Sequence, residues 1–128
     1  MKPQNREIIK AGIKWDALIL IGFMMVLTGY SMNSIAIDSN HGMMPFYSSL
    51  NLLSSDNLHF RYTSFDQVNY PLLTDIFPLK FKDLYIHFSI GDVFSIFGAI
   101  WGAVSLIVGG FMFFTNVKKI KRFYNYGF

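Results

Sequence analysis

Three histidines (His41, His59 and His87) and four aspartates (Asp38, Asp75, Asp83 and Asp92) are the side chains best suited to chemistry in this 128-residue chain, and all fall within residues 38–92. Imidazole and carboxylate together suit zinc or another divalent ion. Metal sites, however, draw on ligands closely spaced along the chain, and no H-x-x-x-H pair occurs here; Asp38-x-x-His41 is the nearest approach. No metal is expected. Asp75 and Asp92 could serve as an acid–base pair, but each has a structural use, one in a turn near Pro78 and the other at a helix start. There is no Ser/His/Asp spacing and no glycine-rich phosphate loop. Catalytic residues and cofactors are therefore not assigned. The absence of cysteine excludes disulfides, thiolate metal sites and iron–sulfur clusters.

The elements that must position these residues are hydrophobic. Apolar residues make up 52% of the chain and charged ones 15%, against about 25% charged in soluble domains. From Gly91 to Phe114 only Asp92 is charged, and the 22 residues after it give about 33 Å of helix, enough to cross a bilayer core. Its small residues, Gly91, Ser95, Gly98, Gly102, Ser105 and Gly109, recur at spacings of 4, 3, 4, 3 and 4. That spacing draws one seam along a helix, and Gly98-x-x-x-Gly102 lets another backbone approach closely.

Residues 17–37 form a first span of roughly 31 Å if helical. Gly22 and Gly29 lie seven apart on one face and can meet the seam of the second span. Asn33 needs a hydrogen-bonding partner, because an unpaired amide facing lipid is costly. A rival reading is a cleaved signal sequence, with an apolar core at Ala17–Leu27 and a small-residue site at Ser34-Ile35-Ala36. The expectation here is a retained span.

Basic residues cluster at the two ends: Lys2, Arg6, Lys10 and Lys14, then Lys118, Lys119, Lys121 and Arg122. Flanking hydrophobic spans in this way, they suit membrane orientation rather than nucleic-acid binding. The reading is an all-α membrane protein: a two-helix hairpin in the cytoplasmic (inner) membrane with both termini cytoplasmic. Its parts are a basic leader 1–16, helix 17–37, an external loop 38–91, helix 92–114 and a basic tail 115–128.

A 54-residue loop without structure would be unusual. Phe46, Leu50 and Leu53, spaced 4 and 3 after Pro45, predict a short amphipathic helix from about Pro45 to Ser54. Leu58, Phe60 and Tyr62 alternate with polar neighbours, as do Leu84, Ile86 and Phe88. These read as short strands able to pair with each other as a small β-hairpin. Ser89 or Asp92 is placed to cap the second span.

Three stretches carry a resemblance: Asn40-His41-Gly42-Met43-Met44-Pro45, Leu73-Thr74-Asp75-Ile76-Phe77-Pro78-Leu79, and Ser89-Ile90-Gly91-Asp92 entering an apolar helix. Together they resemble an uncharacterised bacterial family of small multi-pass membrane proteins. Its motifs are Asn-Gly-Gly-x-Met-Pro after one span, then Asp-x-x-Pro-Leu and Ser-x-Gly-Asp before the last. The similarity spans about residues 29–105 and corresponds to the C-terminal part of longer members, with His41 where glycine is usual. It implies an ordered loop built on Asn40, Gly42, Met44, Pro45, Asp75, Pro78, Ser89 and Asp92, and it brings no assigned activity.

The functional expectation is a non-catalytic accessory subunit of a larger integral membrane complex. It would dock through the small-residue face of the second helix, with Asn33, onto other subunits or onto a second copy of itself. The alternative is a membrane module that binds a lipid, quinone or other apolar molecule with the loop as lid. A third reading is an enzyme using Asp75, Asp92 or a histidine as proton carrier.

Overall fold

The computed structural model describes residues 3–48, 58–82 and 84–126, with side chains at 13–48, 58–80, 82 and 86–118. Two 37-residue helices, α1 (Pro3–Ser39) and α2 (Ile90–Tyr126), flank in sequence a connecting segment that carries four strands. Within them Ile13–Ser39 and Ile90–Lys118 are long and apolar enough to cross a membrane. Only 11% of each apolar window is buried. The core helix of a soluble protein would be mostly covered; these present their nonpolar side chains outward.

The chain forms two compact units, Met1–Met24 with Gly98–Phe128, and Met25–Phe97. In the first, a Cβ added at Gly22 would lie 2.8 Å from Gly98 O and from Gly102 N, so the α1 and α2 backbones touch there. Gly109 lies against the Trp15 side chain, and the Trp101 indole donates to Leu18 O at 3.1 Å. The pairs Trp15–Gly109 and Gly22–Gly98 run in opposite directions along the two helices. The packing is antiparallel.

In the second unit, Gly29 meets Gly91 O and Ser95 by the same close approach. The helix α1 ends where Asn40 N and Gly42 N both bond to Ile37 O, at 3.1 and 3.0 Å. That closing turn requires left-handed backbone at His41 (φ 62°) and Gly42 (φ 79°). Glycine adopts this freely, whereas a side chain costs about 1–2 kcal/mol. His41→Gly should accordingly raise stability by roughly 0.5–1 kcal/mol once the extra freedom of the unfolded chain is subtracted. Denaturation in mixed micelles measures this, and a loss of stability would show that the imidazole itself holds the turn.

Strand β1 (Met44–Tyr47) runs parallel to β2 (His59–Tyr62), pairing Met44 with His59 and Tyr47 with Tyr62. Parallel pairs bury both faces, and Met44, Pro45 and Phe46 are all buried. The predicted helix from Pro45 is therefore corrected over Pro45–Tyr47, which is strand; residues 49–54 of that prediction lie outside the described residues. Proline is tolerated in β1 because of which way the backbone donors point. Met44 N and Ser48 N bond towards β2, while the other edge meets Asp75, through Asp75 N→Pro45 O and Tyr47 N→Asp75 O, each 2.9 Å. The missing N–H of Pro45 falls on that second edge, where neither bond uses it.

Strands β3 (Phe77–Phe81) and β4 (Leu84–Phe88) form an antiparallel hairpin, with Phe77 opposite Phe88 and Leu79 opposite Ile86. Both alternating stretches are thus strands, yet they do not pair with each other as expected. β2 pairs with β1, and β4 pairs with the segment just before it. A short turn at Lys82 makes the β3–β4 pairing local, and so cheaper in loop closure than joining residues 58–62 to 84–88.

Candidate functional site

The connecting segment meets the helices at a small polar knot. Ser89 and Asp92 open α2 as a reciprocal cap: Asp92 N donates to Ser89 Oγ at 2.9 Å, and Ser89 N donates to Asp92 Oδ2 at 3.0 Å. This pairs two of the amides that a helix start leaves open, with the carboxylate at the positive end of the dipole. Asn33 of α1 completes it. Its Nδ2 donates to Asp92 Oδ1 at 2.7 Å, and its Oδ1 accepts from Ser89 Oγ at 2.7 Å. Gly91 is required beside it, because a Cβ there would strike Asn33 Oδ1 and Gly29 O. Ser89 is fully buried and each of its side-chain bonds is matched.

A second junction holds the end of α1. The Asn40 side chain donates to Ala36 O (2.7 Å) and Asn69 O (2.9 Å), and its oxygen accepts from Asn69 N (2.9 Å). Asn69 returns a bond from its own amide to Ser39 O at 2.7 Å. Sequence reasoning singled out Asn40 but missed Asn69. Nothing local marks it, because its role depends on a residue 29 positions away.

In sequence, Asp75 falls between Asn69 and Ser89. It is 5% exposed, its backbone is fixed to β1 on both sides, and its Oδ1 has no hydrogen-bond partner among the described residues. Burial pushes its carboxyl up to about 7; the negative charge of Asp92 adds to this and His59 opposes it. Nearby, Thr74 Oγ1 donates to Pro71 O at 2.7 Å, which leaves the buried Tyr62 hydroxyl to donate to Thr74 at 2.6 Å. Burial raises the Tyr62 phenol and lowers His87, whose ring lies 5.1 Å from that of Phe46.

The remaining sequence-predicted residues are placed as follows. Gly91, Ser95, Gly98 and Gly102 of the seam lie at Gly29 or Gly22 of α1, Gly109 lies at Trp15, and Ser105 is buried. A Cβ on Gly102 would itself meet nothing within 4 Å. Met44 and Pro45 are buried in β1, Gly42 is in the closing turn, and Pro78 is exposed in β3. Among the described residues, no group of three His, Cys, Asp or Glu side chains could hold a metal ion. Asp83 lies outside the described residues.

The arrangement can bind and release a proton at Asp75. Both oxygens of Asp92 are bonded within the knot. No curated protein and no solved structure matches the chain. A family pattern described as a family of unknown function matches residues 10–107, most of the chain, and the protein therefore belongs to that family, DUF5317.

Proposed function

We propose that the chain is a small, non-catalytic accessory subunit of a larger integral membrane complex. Its helices cross the cytoplasmic membrane with the basic ends inside, as the positive-inside rule favours, and residues 38–91 face outward. The observation that carries the reading is an apolar face on the β3–β4 hairpin. Phe77 and Leu79 alternate onto one side with Ile86 across from Leu79, and they are 47%, 52% and 36% exposed. Exposed apolar patches of this kind mark contact surfaces. With the glycine seam turned towards α1, partner contact falls to this face and to the outer apolar side of α2, where Ile100, Val104, Ile107 and Phe111 are exposed.

The test is Phe77→Lys combined with Leu79→Lys, in the full chain expressed in its own membrane. The account predicts that the variant still inserts and resists denaturant as the parent does, but loses its co-purifying subunits. Retention of the same subunits in the same ratio would remove the hairpin from the docking surface.

A further inference from the structure

We propose that Asp75 is a proton-binding site whose occupancy controls how firmly its own segment is held on β1. The geometry carries this in three steps. First, the carboxyl cannot leave its site easily, because Asp75 N→Pro45 O and Tyr47 N→Asp75 O clamp its backbone to β1. Second, Oδ1 is buried without a partner among the described residues, which is tolerable for a neutral acid and costly for an anion. Third, the neighbouring carboxylate, Asp92, has one oxygen bonded to Asn33 and the other to Ser89 N. At Asp75, by contrast, a proton on Oδ1 would break no hydrogen bond to any described residue.

The groups facing Asp75 come from every element around it. Asp92 of α2 raises the Asp75 carboxyl, His59 of β2 lowers it, and Asp75 in turn raises the Tyr62 phenol of β2. His87 of β4, lowered by burial and then by His59, lies with its ring 5.1 Å from that of Phe46, in the strand to which Asp75 is clamped. Ionising Asp75 adds a negative charge that Asp92 disfavours and His59 favours. The sign follows directly. The folded carboxyl titrates at about 7, and an unfolded aspartate near 3.9. The folded state thus binds the extra proton between those values. Stability of the clamp is full below about pH 4, is lost as pH rises towards 7, and is level above that.

Infrared spectra of the full chain in lipid nanodiscs, with isotope-labelled aspartate, test the proposal. One protonated carboxyl should be present in mildly acid solution and titrate with a midpoint of about 7. It should vanish in Asp75→Asn, persist in Asp38→Asn, and titrate at lower pH in Asp92→Asn. Hydrogen exchange at the Tyr47 and Asp75 amides, corrected for intrinsic rates, should lose protection by up to about tenfold per pH unit between pH 5 and 7. All aspartates ionised near the ordinary carboxylate value in the parent chain would overturn the proposal. So would a midpoint that falls as sodium or calcium is added, which would mark a cation site instead. The labelled parent chain decides the matter even where Asp75→Asn fails to fold.

Discussion

Gly91→Ala should destabilise the protein by about 3 kcal/mol or more, an unusually large effect for a single methyl group. The added Cβ would strike Gly29 O and the Asn33 side chain, and backbone cannot rotate aside as a flexible side chain can. The helices must then separate or the Asn33 bonds to Ser89 and Asp92 must break. Gly102→Ala is the matched control, since its Cβ meets nothing within 4 Å. It should be neutral, or gain up to about 1 kcal/mol from helix propensity. Denaturation of both variants in mixed micelles gives the comparison. Equal effects would mean that the close approach of α1 and α2 at Gly29 and Gly91 does not exist in the membrane.

Asn33→Leu should cost about 3 kcal/mol by a different route. It removes the donor to Asp92 Oδ1 and the acceptor of Ser89 Oγ at once, and leaves both groups short of a partner in a part-buried site. The helix cap between Ser89 and Asp92 remains possible, so α2 should keep its helicity while the junction with α1 loosens. A double-mutant cycle of Asn33→Ala with Asp92→Asn should return a coupling of about 1–3 kcal/mol. Additive effects within a few tenths of a kcal/mol would show that the two side chains act independently.

What the sequence made legible follows from range. The glycine spacing and the apolar lengths are periodic, local signals, and Gly22, Gly29, Gly91 and Gly98 lie where that periodicity put them. The need of Asn33 for a partner was legible from solvation alone, and Ser89 and Asp92 from their position at a helix start. The connecting segment was harder. Pro45, Phe46, Leu50 and Leu53 fit a helical spacing, but Pro45–Tyr47 is claimed by partners at 59–62 and 75, and no local pattern announces them. Asp75 read as a turn residue because its neighbours are Pro71 and Pro78. It is buried with its backbone bonded to β1, and a charge that acts on it belongs to Asp92, 17 residues further on. The Asn40–Asn69 clasp was invisible for the same reason.

The family assignment covers the elements that build both junctions, since residues 10–107 include Asn33, Asn40, Asn69, Asp75, Ser89 and Asp92. The polar knot and the clasp tie described residues of the connecting segment to α1 and to the start of α2.

The native mass of the complex, extracted gently from the membrane in which the chain is made, tests the central claim most directly. The account predicts a mass that contains other integral subunits in fixed ratio to this chain. A mass equal to this chain alone, with or without a retained small molecule, would contradict it.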